Sequence, residues 1–182
     1  MVEVLKDRNE AIDLHINKCL SSSNVCGYEL RESHYYLGRK LGKEVAKYRK
    51  LQSKRVAVLI MMRAGLPFGF GVADAIDEDN DVTVMFSTTP DNDYNDYDIV
   101  IIADAVINTG KTIVQIANDL KNEQVIVVTN VISDKYLDNL KDYDIFATRI
   151  SEHSFKGENV KVMSGGKGPD TGERLFNNSF FK

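Results

Sequence analysis

A carboxylate and a glycine stand six residues apart at the centre of the chain, in Asp104-Ala105-Val106-Ile107-Asn108-Thr109-Gly110-Lys111-Thr112. Before them runs Asp98-Ile99-Val100-Ile101-Ile102-Ala103, apolar, β-branched and of strand length. After them, apolar residues recur at Ile113, Ile116, Ala117 and Leu120, which is helical spacing. The expected unit is a strand that stops at Asp104, a short polar loop and a helix over 112–121. Such loops bind phosphates, because the unpaired N–H groups of the helix start and the helix dipole converge there. The residue types therefore point to a phosphate site with an acid at its mouth.

Two ligand chemistries compete for this loop. Gly110-Lys111-Thr112 fits the end of the triphosphate loop G-x-x-x-x-G-K-[ST], but Ala105 stands where the first glycine belongs, directly after Asp104. That glycine lets the backbone wrap a phosphate, and a carboxylate beside it repels one. The second chemistry needs the acid. A carboxylate accepts hydrogen bonds from two ribose hydroxyls, while N–H groups and threonine hydroxyls hold a terminal phosphate. A purely structural capping role for the same pattern stays open at this level.

The segment Asp104 to Thr112 resembles the phosphoribosyl diphosphate loop of type I phosphoribosyltransferases. Further segments carry the resemblance in the same order. Arg63-Ala64-Gly65-Leu66, continued through Gly69, Val72 and Asp74, is similar to the R-A-G-L motif of uracil phosphoribosyltransferases. Phe146-Ala147-Thr148-Arg149-Ile150-Ser151-Glu152 resembles their Y-T-A-A-I-D-E stretch, and Arg31-Glu32-Ser33 their early R-E-[x] helix. Gly166-Lys167-Gly168-Pro169-Asp170-Thr171-Gly172-Glu173-Arg174-Leu175-Phe176 resembles their G-L-G-D-A-G-D-R-[x]-F segment.

The resemblance implies phosphoribosyl transfer from phosphoribosyl diphosphate to a nucleobase, uracil first, giving UMP and diphosphate in pyrimidine salvage. It implies that Asp104 holds the ribose hydroxyls and that Ala105, Val106, Ile107, Asn108, Thr109, Gly110, Lys111 and Thr112 hold the 5-phosphate. Arg63, Ala64 and Gly65 would meet the diphosphate. Met163, Pro169, Asp170 and Thr171 would surround the base, with Asp170 also near the ribosyl donor. Mg²⁺ is expected as cofactor, carried mainly by the diphosphate, with no dedicated metal ligands. A homodimer or higher homo-oligomer is implied as well. The sequence also departs from the family. Phe86-Ser87-Thr88 stands where the family carries a tyrosine-arginine pair, and the segment before Asp98 is short and acidic. The alternative is a weak or inactive homologue that binds a nucleotide or phosphoribosyl diphosphate as a sensor or regulator.

The elements that must position these residues read as an α/β chain. Leu30, Leu37, Leu41 and Val45 predict an amphipathic helix over 28–50, with Gly38 and Gly42 either weakening it or allowing close packing. Val56 to Met61 is a continuous apolar run, expected as a strand buried on both faces. A glycine-containing helix through Phe70, Val72, Ala73 and Ile76 follows, then strands at Val82 to Phe86, Asp98 to Ala103, Val125 to Thr129 and Asp144 to Thr148. Ser133 reads as the N-cap of a short helix at 135–141. Residues 1–27 carry no clear pattern. The alternation predicts one domain over 1–182, an open, mostly parallel sheet flanked by helices, with a small C-terminal base-binding loop region.

Bulk properties bound the rest. The chain has 182 residues, 43% hydrophobic and 27% charged, which fits one well-buried core and argues against wholesale disorder. A net charge of −4 disfavours nucleic acid as a partner. Apolar runs are strand-sized, and the charged start lacks a signal-peptide core, so no membrane partner and a cytoplasmic location are expected. Cys19 and Cys26 lack the company that zinc needs. Asp77, Asp79 and Asp81, like Asp91, Asp93 and Asn95, have the spacing of a calcium loop but neither its glycine nor its final glutamate, and read as solvated turns.

Overall fold

Strands that are apolar along their whole length need cover on both faces, and the apolar runs become an open sheet with helices on either side. The structure, a computed structural model, describes residues 1–49, 51–88, 94, 96–120, 124–152, 161–163, 166–167 and 170–177. The strands are β1 (Val2–Val4), β2 (Val56–Ile60), β3 (Val82–Phe86), β4 (Ile99–Ile107), β5 (Gln124–Ser133) and β6 (Asp144–Ser151). They form one six-stranded sheet in the order β1-β6-β5-β4-β2-β3, with every pairing parallel. Two further strands, β7 (Lys161–Met163) and β8 (Gly166–Lys167), pair antiparallel with each other.

Alternation along the strands splits the core in two. Ile99, Ile101 and Ala103 of β4 pack with α1 (Glu10–Cys19), α2 (Gly27–Arg49), α3 (Leu66–Asp77) and Leu175 of α5 (Thr171–Phe176). Val100 and Ile102 pack with α4 (Lys111–Asp119) and a 3₁₀ helix, Asp134–Leu140. Residues 1–27, unreadable from pattern, supply β1 at the β6 edge and α1, whose N-cap Asn9 accepts a hydrogen bond from the Ile12 N–H at 3.0 Å.

The helix glycines serve close packing. A Cβ on Gly38 would lie 2.1 Å from the Phe68 carbonyl oxygen, one on Gly42 2.7 Å from that of Val72, and one on Gly71 2.2 Å from that of Tyr35. Backbone therefore meets backbone where α2 crosses α3, and no side chain fits between them. A hydrogen bond from the Tyr35 hydroxyl to Asp74 at 2.6 Å ties the same pair at the surface.

Several boundaries differ from the sequence expectation, β5 and β6 among them, which run to Ser133 and Ser151 rather than Thr129 and Thr148. β4 does not stop at Asp104 but runs on to Ile107, because Val106 and Ile107 pair in register with Val131 and Ile132 of an equally extended β5. The helix after it spans Lys111–Asp119 rather than 112–121. Ser133 ends β5 with its hydroxyl buried and makes no capping bond to the 3₁₀ helix that follows.

Candidate active site at the carboxyl edge

Parallel strands gather their carboxyl ends on one edge, and β2 and β4 are neighbours there. Each leads into a helix whose start has no side-chain cap. α4 begins at Gly110, in the left-handed region at φ 69°, and α3 begins at Gly65. Neither N-cap offers an oxygen to the first-turn N–H groups, and neither first turn contains an acid. The contrast with α1 is direct: Asn9 caps it, and Glu10 and Asp13 occupy its first turn. Uncapped N–H groups backed by a helix dipole select an anion. At α4 such a set opens on this edge, whereas at α3 the Leu66 N–H donates to the Arg63 carbonyl at 3.2 Å and Pro67 has no N–H to offer.

Asp104 lies on β4 between them, on the α4 side of the sheet by alternation from Val100 and Ile102. Burial pushes its carboxyl up from the ordinary value to about 7, against weaker pull from the Val106 and Ala105 N–H groups. The Val106 N–H donates to its Oδ1 at 3.5 Å, at the limit of a hydrogen bond. A carboxyl so poorly solvated gains strongly from hydroxyl donors.

The nine expected phosphate-loop residues divide. Ala105 and Ile107 are buried strand residues, and with Val106 they form the wall that carries Asp104. The loop itself is Asn108, Thr109 and Gly110. It is pinned from the 3₁₀ helix, where the Asn139 amide donates to the Thr109 carbonyl at 2.9 Å. Lys111 and Thr112 are exposed in the first turn of α4. Gly110 also packs closely, since a Cβ there would lie 3.1 Å from Leu140.

The loop after β2 is built as tightly. A Cβ on Gly65 would stand 2.4 Å from the Met61 carbonyl oxygen and 3.0 Å from that of Ala103. The Met62–Arg63 peptide is cis, and the Met62 N–H donates to the Ser87 hydroxyl at 2.9 Å. Ser87, just past the end of β3, thus holds the loop. Arg63 is exposed, with no carboxylate paired to it among the described residues; its guanidinium lies 5.9 Å from the Phe176 ring centroid.

That contact joins the two distant motifs. A methyl group on Gly172 would lie 3.8 Å from Ala64 and 3.9 Å from the Arg63 Nη2, so the start of α5 abuts the 63–65 loop. Asp170 caps α5, accepting from the Glu173 N–H at 2.7 Å, while Glu173 accepts from the Asp170 N–H at 2.9 Å. Thr171 opens the helix. Pro169 lies outside the described residues, as do Asp91, Asp93 and Asn95, and Met163 is placed here only as the end of β7.

Two arginines of the similar segments hold the frame. Arg31 donates to the Leu175 carbonyl at 2.6 Å. Arg174 is buried and donates to the carbonyls of Val25, Ser23 and Lys18 and to the Ser23 hydroxyl. Sequence reading missed that Asn130 and Arg149 would carry buried polar atoms without partners. Their signal was polarity inside apolar strands, in Val128-Thr129-Asn130-Val131 and Ala147-Thr148-Arg149-Ile150.

No curated protein matches the sequence. Among solved structures, the AQ2163 protein of Aquifex aeolicus is similar with a TM-score of 0.72 at 20% identity, over 98% of this chain and 99% of that one. The hypoxanthine-guanine phosphoribosyltransferase of Schistosoma mansoni, solved with IMP, is similar with a TM-score of 0.50 at 15% identity, over 70% and 68%. These likenesses show the fold, an open parallel sheet of the type I phosphoribosyltransferase kind. A family model for uracil phosphoribosyltransferase matches residues 28–178, and the chain belongs to that family.

Proposed function

We propose that residues 1–182 act as one domain that transfers a phosphoribosyl group from phosphoribosyl diphosphate to a nucleobase, uracil first, releasing diphosphate. One observation carries the reading: the uncapped start of α4 follows Asp104 on β4, and the exposed Arg63 stands after β2, the neighbouring strand. Phosphoribosyl diphosphate has this pattern, an anionic group at each end and two hydroxyls between.

In this reading the first turn of α4, with Asn108, Thr109, Lys111 and Thr112, holds the 5-phosphate. Asp104 accepts from the ribose hydroxyls, and Ala64 and Gly65 hold the diphosphate beside Arg63. The bond from the anomeric carbon to oxygen breaks and its electron pair leaves with the diphosphate. The carbon–nitrogen bond forms as the base nitrogen sheds its proton. Arg63 stabilises the departing charge, and positioning supplies much of the remaining acceleration. Asp170 and Thr171, at the start of the helix whose Gly172 abuts Arg63, place the base loop against the reacting carbon.

Among the described residues no three His, Cys, Asp or Glu side chains cluster as a metal cage. Mg²⁺ would be bound mainly through ligand oxygens, with Asp104 and Asp170 the carboxylates at hand. When bound, the ion would neutralise diphosphate charge.

The second reading is ligand binding without turnover, and Ser87 favours it. Its hydroxyl is engaged by the Met62 N–H, and no cation comes from the end of β3. A panel of nucleobases with phosphoribosyl diphosphate and Mg²⁺, followed by diphosphate release, separates the two. Turnover with uracil is expected. Stabilisation by phosphoribosyl diphosphate with no turnover on any base would establish the second reading.

A further inference from the structure

The 3₁₀ helix Asp134–Leu140 is anchored by Leu137 and Leu140, which pack into the core on the α4 side of the sheet. Between them Asn139 is exposed, and its side chain crosses to the 108–110 loop, where the Nδ2 donates to the Thr109 carbonyl at 2.9 Å. Facing a carbonyl, only the NH₂ end of the amide can make this bond. An exposed asparagine adds little to the core, so the bond matters for what it does to the loop.

The peptide that it holds joins Thr109 to Gly110. Gly110 has φ 69° and ψ −1°, the dihedrals of the third residue of a type II turn. Turning the preceding peptide over converts that residue to its type I conformation at negative φ, and glycine adopts both readily. The glycine itself therefore does not decide which way the peptide faces. Asn139 does, because the turned-over peptide would take its oxygen away from the Nδ2.

The consequence falls on the other end of the same peptide. It is trans, so its N–H points opposite to its carbonyl, away from the 3₁₀ helix. Among the described residues no group accepts from the Gly110 N–H. It joins the start of α4, where the Lys111 N–H reaches the Thr109 Oγ1 only at 3.5 Å. A hydrogen bond on the carbonyl also polarises the peptide and makes its N–H a better donor. In the opposite orientation the carbonyl oxygen would face an anion and repel it.

We propose that Asn139 is a positioning residue for the 5-phosphate: by holding the Thr109 carbonyl it selects the peptide orientation that presents the Gly110 N–H to the ligand. The proposal deepens the phosphoribosyl-transfer reading and rests on it. Asn139 does not touch the ligand; it acts through the peptide.

Asn139→Leu tests this, since leucine has a similar size and no donor. Calorimetric titration should show ribose 5-phosphate binding about 3- to 10-fold more weakly, the worth of one neutral hydrogen bond. The KM for phosphoribosyl diphosphate should rise by the same factor, with the KM for the base and the unfolding midpoint of the free protein unaltered. In the wild type, the Gly110 amide proton should move downfield in the NMR spectrum as ribose 5-phosphate saturates the site. Unchanged ribose 5-phosphate affinity in Asn139→Leu overturns the proposal alone, and so does a Gly110 amide that does not respond in the wild type. An equal rise in the KM for the base marks a general structural role and overturns it too. Ribose 5-phosphate binding without turnover on any base overturns only the transfer reading, and the affinity and the amide shift still decide the role of Asn139. A wild type that binds neither ribose 5-phosphate nor phosphoribosyl diphosphate overturns both.

Discussion

The two edges of the sheet treat polar groups in opposite ways. At the amino edge, a groove of about 580 Å³ is lined by Ser53, Arg55, Asp79, Asp81, Asp96 and Tyr97 among others. Its groups answer one another. Asp98 accepts from the Arg55 N–H at 2.9 Å, the Arg55 side chain lies 3.8 Å from both Asp96 and Asp98, and Asp77 accepts from the Val82 N–H. At the carboxyl edge, among the described residues, Asp104 has one long hydrogen bond, Arg63 no carboxylate and two helices no side-chain cap. Bonding capacity is met at one edge and left unmet at the other. Function follows unmet capacity, because groups poised for a ligand cannot also be satisfied by the protein.

Asp104→Asn should break this contrast most. We expect kcat/KM to fall about a hundredfold or more, since a neutral amide cannot accept from two ribose hydroxyls as a carboxylate does. The same variant should unfold at a higher temperature, because the carboxylate is held at a cost. Asp104 keeps its proton to about pH 7 folded against 3.8 in the ordinary group. Between those values the folded chain binds more protons, so this group's contribution to stability falls as pH rises through that window. Ribose 5-phosphate should accordingly bind more tightly as pH rises through 7, with proton release. Calorimetry in buffers of different ionisation heat checks this, and pH-independent binding would refute it. Arg63→Ala comes next. The KM for phosphoribosyl diphosphate should rise about 10- to 100-fold, the worth of charge-assisted bonds, with ribose 5-phosphate affinity unaltered.

Gly38→Ala probes the frame rather than the edge. The new methyl would meet the Phe68 carbonyl oxygen, and α3 starts at the diphosphate loop. A loss of about 1–3 kcal/mol in denaturant unfolding is expected, with a rise in the KM for phosphoribosyl diphosphate as α3 shifts. An unchanged midpoint would mean that the crossing is looser than the distances imply.

The strands and helices were legible because periodicity is local. Val56 to Ile60 and Ile99 to Ala103 are buried along their length, as continuous apolar runs require. Asp104 and Gly110 were legible as a pair because residue type and spacing encode the loop. The end of β4 was not, since its extension past Asp104 depends on a partner strand, β5, two dozen residues away. For the same reason Arg174 read as part of a binding segment. Its partners, Val25, Ser23 and Lys18, lie near the other end of the chain, and no spacing rule reaches them. Arg149 and Asn130 stayed hidden because a polar residue in a strand gives no sign of whether a neighbour satisfies it.

Asp98→Asn is the counterpart at the amino edge and should do least. The substitution keeps an oxygen that can accept from the Arg55 N–H and removes a charge that water and salt already screen. The surrounding Asp79, Asp81 and Asp96 continue to give the groove its sign. Turnover, KM for both substrates and the unfolding midpoint should all remain at wild-type values. A change in KM from this position would mean that this groove takes part in ligand binding. The division between a satisfied edge and a poised one would then be wrong, because the amino edge would hold capacity that its hydrogen bonds conceal.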